Sequence, residues 1–171
     1  MPLLLTSFTA LLLAALPFTN TQAGERQSIT DIPRVVDGDT LAFGKIRVRL
    51  DGIDAPEKAQ SCYRQANTSD SGWACGQAAG EALANLIARQ PVTCPLSKTD
   101  RYGRYIARCT VQYQGRVVDL GGAMVWNGWA LAYTQYSKAY VEEQAQARAA
   151  GRGIWGSRWQ SPEDYRRSKR N

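Results

Sequence analysis

From Ile46 to Asp51 the chain alternates: Ile46, Val48 and Leu50 are apolar, while Arg47, Arg49 and Asp51 are charged. Successive side chains of a strand point to opposite faces, so this is a strand with one apolar and one charged face. Gly44-Lys45 supplies a turn before it, and Thr40 to Phe43 supplies the partner strand of a hairpin. Upstream, Ile32 to Val36 is a short β-branched run ending at the turn pair Asp37-Gly38. Gln77 to Arg89 is alanine-rich and places Ala79, Leu83, Leu86 and Ile87 on one helical face, until Pro91 stops it. Val92 to Leu96 and Tyr105 to Val111 read as a second strand pair, with Arg116 to Val118 as a short further strand. Asp119 is a good N-cap for a helix over Leu120 to Asn127, ended by Gly128. Ala130 to Tyr133 is short and extended, and a last helix runs from Ser137 or Lys138 to Ala150, with Gly151 after it. Strands, a helix, more strands and two helices predict an α+β domain, a small β-barrel with three packed helices.

The 171 residues divide unevenly. Met1 to Ala23 carries no charged side chain, and its apolar stretch around Leu11 to Leu16 is too short to span a bilayer. It closes on Thr21-Gln22-Ala23, the small-residue pattern of a cleaved signal peptide. Residues 24–156 then form one domain, and 157–171 a basic tail whose Arg166-Arg167-Ser168-Lys169-Arg170 reads as solvated, and secondarily as a weak phosphate-binding arm. The whole net charge of +6 rests on the part after the leader, which favours polyanionic partners. Export puts the four cysteines in an oxidising compartment, where pairing is expected. Three connectivities are open. Cys62 and Cys75 bracket a polar loop over Asn67 to Gly72, while Cys94 and Cys109 lie on strand-like runs on either side of a turn, so these two pairs are the expected ones. Zinc on four thiolates lacks any Cys-x-x-Cys spacing.

The chain contains no histidine, so imidazole does no proton transfer here. What remains is a set of carboxylates and arginines. Asp37 and Asp39 are two apart near a strand end, so an extended backbone points both carboxylates one way. Asp54 and Glu57 straddle Pro56. Carboxylates gathered like this repel, a hard divalent cation relieves the repulsion, and oxygen ligands favour calcium, magnesium or manganese. Taken singly, Asp37-Gly38-Asp39 is an ordinary turn, Arg49 a solvated strand residue and Arg104 a turn residue. Guanidinium groups beside a metal would, however, neutralise the charge of a phosphoryl-transfer transition state.

Taken together, these segments resemble the staphylococcal nuclease (thermonuclease) family. The residues that carry the resemblance are Val36 to Thr40, Val48 to Glu57, Asp100 to Arg104, Trp129 to Tyr133 and Gly153-Ile154-Trp155. The resemblance implies an OB-fold barrel and an exported, calcium-dependent endonuclease acting on DNA and RNA and leaving 3′-phosphate ends. It implies Asp39, Asp54 and the backbone carbonyl of Ala55 as metal ligands, with Asp37 behind them. Glu57 is then similar to the family's general base, Arg49 and Arg104 to its phosphate-clamping arginines, and Tyr102 and Tyr133 to its nucleotide-pocket aromatics. A departure is Lys58 to Gly76, which is longer than in the staphylococcal enzyme and bears Cys62 and Cys75. The alternative is a nuclease-like module that binds nucleic acid or protein without cutting. A monomer in the periplasm or medium, free of the membrane once the leader is removed, is expected.

Overall fold

The computed structural model describes residues 27–63 and 72–170; the leader and most of the polar Asn67 to Gly72 loop lie outside them. The hairpin is formed as expected. β3 (Thr40–Phe43) pairs antiparallel with β4 (Ile46–Leu50), with Leu41 opposite Val48 and Thr40 opposite Arg49. Leu41, Val48 and Leu50 are buried, which explains the register: slipping it by one residue would turn Arg47 and Arg49 into the core. β1 (Ser28–Asp31) and β2 (Arg34–Asp37) precede the hairpin, and the two-residue β5 (Ile53–Asp54) follows it.

After the disulfide-bonded loop, α1 (Cys75–Ile87) packs on the core and buries Ala79, Leu83 and Ile87, three of the four positions named from its periodicity. It ends two residues before Arg89 because Ala88 and Arg89 both turn left-handed, with φ of 50° and 60°. Pro91 disfavours helix in the residue before it, so the chain must turn by that point. Then come β6 (Val92–Pro95), β7 (Lys98–Thr99), β8 (Tyr105–Ala107), β9 (Thr110–Tyr113) and β10 (Arg116–Asp119). The expected continuous strand over Tyr105 to Val111 is two strands in different sheets. β8 runs parallel to β4, with Val48 opposite Tyr105, whereas β9 pairs with β6 and β10. The chain changes sheet at Arg108-Cys109, where Cys109 is tied to Cys94 and its carbonyl accepts from Leu120 N–H.

Among the described residues the strand order is β1-β6-β9-β10 in one sheet and β2-β3-β4-β8-β7 in another, with β5 and β11 (Leu131–Ala132) as a small third. They enclose one core with α1 and α2 (Leu120–Trp126), whose cap is the predicted one: the Asp119 carboxylate accepts from Gly121 N–H at 3.0 Å. The α+β class holds, and the arrangement is consistent with the expected OB-fold. The helix count changes. α3 (Val141–Ala149) starts later than its sequence pattern, and beyond a 3₁₀ turn at Gly153–Gly156 a fourth helix, α4 (Pro162–Ser168), forms where a solvated tail was expected.

Both expected disulfides are present, Cys62–Cys75 and Cys94–Cys109. The first lies in a satellite cluster with Ile154, against which Trp73, Trp155 and Trp159 pack. It thereby joins the loop after Glu57 to the end of the chain.

Candidate active site

Arg49 stands at the centre of the acidic residues. Its Nη1 donates to Asp39 Oδ1 at 2.9 Å and its Nη2 to Asp54 Oδ1 at 2.7 Å and to the Ile53 carbonyl at 3.4 Å. The sheet explains the meeting. Thr40 and Arg49 are register partners across the hairpin, so Asp39, one residue before Thr40, lies at the same end as the charged face of β4. β5, pinned by its pairing with β11, brings Asp54 in from the other side. Gly38 lets the turn approach, since a Cβ there would lie 2.7 Å from the Ala55 Cβ and 2.9 Å from the Ala79 Cβ. The Ala55 amide then donates to Asp39 Oδ2 at 3.2 Å, and the Asp39 amide to Asp37 Oδ1 at 3.1 Å.

Asp39 and Asp54 are each only 4 % exposed, unusual for carboxylates. Burial pushes the Asp39 carboxyl up to about 7 against the pull of Arg49, with the nearby charges of Asp37 and Asp54 adding to the rise. Burial would lower the Arg49 pKa, but Asp39 and Asp54 hold the guanidinium above its ordinary value.

Glu57 enters through a residue that the sequence assigned to the tail. Arg166, on α4, spans both carboxylates: Nη1 donates to Asp54 Oδ1 and Glu57 Oε1, each at 2.9 Å, and Nη2 donates to Asp54 Oδ2 at 2.9 Å. Burial works against the Arg166 charge, yet the hydrogen bonds to Asp54 and Glu57 keep its pKa above the usual arginine value. Glu57 itself is fixed by its backbone. Gly76 packs so tightly on the Glu57 carbonyl that a Cβ would lie 1.7 Å away, and the Glu57 amide donates to Gln60 Oε1 at 3.2 Å. Gln60, 1 % exposed, reaches the Gln160 carbonyl at 2.6 Å with its other end, tying the Glu57 loop to the segment before α4.

The remaining sequence candidates are placed differently. Arg104 lies on the same sheet face as Arg49, because Arg49 is the register partner of Ile106 and Arg104 precedes Ile106 by two. Its guanidinium is bound to Asp100 Oδ2 at 2.8 Å, through both Nε and Nη2. Although partial burial opposes it, Asp100 is held below its ordinary value by hydrogen bonds from the Arg104 backbone and side chain and the Tyr102 amide. Tyr102 is 69 % exposed, with Arg101 and Arg104 over its ring at 4.9 and 5.7 Å. Tyr133 is near the acidic centre: burial and the charges of Asp54 and Glu163 push its hydroxyl pKa up, and its ring meets Tyr136 edge-on at 4.8 Å.

Among the described residues no three Asp, Glu, Cys or His side chains form a ready metal cluster. The physical reason is visible in the ion pairs, because Arg49 and Arg166 lie between the carboxylates. The donor chemistry still fits a hard cation: buried carboxylate oxygens, with no sulfur or imidazole, and more carboxylates than guanidiniums.

Residues 47–157 match the model of the family described as staphylococcal nuclease homologue, well over half of the chain. The chain belongs to this family. This staphylococcal nuclease homologue is 34 % identical to the micrococcal nuclease of Shigella flexneri over 155 residues, covering 82 % of each chain. It is 36 % identical to an uncharacterized endonuclease of Haemophilus influenzae, over 81 % of this chain and 72 % of that one. It is also 33 % identical to the succinoglycan biosynthesis protein ExoI of Rhizobium meliloti, over 84 % and 72 %. The nuclease relatives support a hydrolase acting on nucleic acid, in a family that depends on metal. The residue that sequence reasoning missed in this nuclease homologue is Arg166. Its signal was present: Ser161 caps α4 by accepting from Asp164 N–H, Pro162 opens the helix, and Glu163 and Asp164 lie in its first turn.

Proposed function

We propose that this chain is an exported, calcium-dependent endonuclease that hydrolyses phosphodiester bonds of DNA and RNA. One observation carries the reading: Arg49 binds Asp39 and Asp54 at once, while a second guanidinium, that of Arg166, binds Asp54 and Glu57 together. In this reading Asp39, Asp54 and the Ala55 carbonyl would hold calcium, which would supply positive charge to the phosphate oxygens. Glu57 takes the proton of the attacking water. As the new P–O bond forms, Arg49 and Arg104 leave their carboxylate partners in part and pair with the non-bridging oxygens. The 5′-oxygen departs and is protonated by solvent, leaving a 3′-phosphate. Tyr133 and Tyr102 offer faces for unpaired bases. Two disulfides and the apolar leader Met1 to Ala23 favour the periplasm or medium, and among the described residues no helix is long and apolar enough to cross a membrane.

Nicking of a supercoiled plasmid tests the reading directly. Calcium is expected to support cleavage and a calcium chelator to stop it, with restoration when calcium is returned. Full cleavage in excess chelator removes the metal from the reaction, and tight binding without cleavage in calcium supports the module that grips and does not cut.

Arg166 makes a further expectation specific. It presents a unit positive charge to both oxygens of Asp54, so it competes with a divalent cation for the same carboxylate. Arg166→Ala is expected to raise calcium affinity at least tenfold in calorimetry, about 1.4 kcal/mol, the low end for one charge acting across about 4 Å. Unchanged affinity would mean that calcium does not use Asp54.

A further inference from the structure

Between the Ala59 to Tyr63 segment and the chain from Arg158 to Lys169 lies an open groove of about 590 Å³. Its walls are held by backbone. Tyr63 N–H donates to the Arg158 carbonyl at 2.8 Å and Arg158 N–H to the Tyr63 carbonyl at 2.7 Å, while the Tyr165 hydroxyl reaches the Ala59 carbonyl at 3.1 Å. Ser61, Tyr63, Arg158, Trp159, Tyr165 and Lys169 face it, and among the described residues no carboxylate lines it. The two cations stand over rings: the Arg158 guanidinium is 5.7 Å from the Tyr63 centroid and the Lys169 ammonium 5.5 Å from that of Tyr165.

We propose that this groove is a subsite for single-stranded nucleic acid, taking up the nucleotides next to the one cleaved. The inference rests on the nuclease reading above and adds where the strand runs. Three features point to a strand as the occupant. Aromatic rings paired with cations are what an unpaired base and its phosphate need, one for stacking and one for charge. A lining with positive charge and no carboxylate suits a polyanion. The groove also lies beside the catalytic centre, since Tyr165, whose hydroxyl reaches the Ala59 carbonyl, precedes Arg166, which binds Glu57, and Ala59 follows Glu57 by two residues. A strand bound at Asp54 and Glu57 therefore has this groove beside it. The rings demand unstacked bases, so duplex must open locally to enter.

The expected signature is dependence on length. Binding of fluorescein-labelled thymidine oligomers to the full chain, followed by anisotropy in chelator so that nothing is cut, is expected to tighten as the oligomer outgrows a dinucleotide. The double variant Arg158→Gln, Lys169→Gln should weaken binding of the long oligomer at least tenfold and leave dinucleotide affinity unmoved. Its slope of log affinity against log salt should fall by about 1.4, the contribution of two phosphate contacts on a single strand. Tyr63→Ala, which keeps the backbone pairing, should weaken the long oligomer with little change in slope. Equal losses for dinucleotide and long oligomer, or none for either, overturn the subsite. So does competition by polyglutamate of equal charge as effective as by the oligomer, because charge alone would then suffice. Length-dependent binding by a chain that never cleaves would sink the nuclease reading and leave the subsite standing.

Discussion

Arg49→Ala is expected to do double damage, lowering turnover by at least 10²-fold and stability by about 3–5 kcal/mol. The first effect follows from the loss of a guanidinium for the phosphate. The second comes from what stays behind. The Arg49 side chain is 16 % exposed, and it is the shared donor to two carboxylates whose own side chains are 5 % exposed. Without it, Asp39 is buried beside Asp37 and Asp54 with no cation of its own, and its carboxyl, already pushed up to about 7 by burial, rises further; Asp54 keeps Arg166. The sign of the pH dependence is then fixed. Between the unfolded carboxyl range near 4 and the raised folded value of Asp39, the folded chain binds more protons than the unfolded one, so the variant regains stability as pH falls through that window. Arg49→Lys should recover part of the stability and little of the rate, because an ammonium lacks the fork that reaches both partners. Chemical denaturation at several pH values, alongside turnover at saturating substrate, checks both halves. An alanine variant of wild-type stability at neutral pH would show that the carboxylates do not depend on Arg49.

What could be read from the chain and what could not differ for a physical reason. The Ile46 to Leu50 alternation determined its strand, face and partner, because period-two patterning and a two-residue turn are local facts. Asp39, Arg49 and Asp54 were legible as one group through the family resemblance alone; singly each has an ordinary local explanation, and it is the hairpin register and the turn after β4 that bring them together. The sheet change at Cys109 was not legible. Tyr105 to Val111 is uniformly strand-like in composition, and only the parallel pairing of β8 with β4, across the whole α1 crossover, divides it. Arg166 was hidden differently. Its helix carried complete capping signals, but a run of basic residues near a chain end has a simple solvated explanation, and nothing local says that Gln60 will hold the preceding segment against the Glu57 loop. Long-range placement of this kind depends on tertiary packing rather than on any pattern in the segment itself.

Glu57→Gln should lower turnover by roughly 10²-fold or more, the usual scale for a general base, and leave calcium affinity within a few-fold of wild type. The geometry makes this substitution unusually clean. Among the described residues only the Oε1 side of Glu57 is engaged, accepting from Arg166, and an amide oxygen can accept there too. The backbone that sets its position, closed in by Gly76 and by the Gln60 side chain, does not depend on the carboxylate. The change therefore removes a proton acceptor without a cavity or a stranded charge, since Arg166 keeps both oxygens of Asp54. Glu57→Ala offers the contrast: it frees one Arg166 contact as well, so its fall in rate mixes lost base with altered placement. Single-turnover cleavage of a labelled oligomer in saturating calcium, with calcium affinity measured by calorimetry on the same preparations, separates the two. If the glutamine variant turned over at the wild-type rate, Glu57 would not be the base.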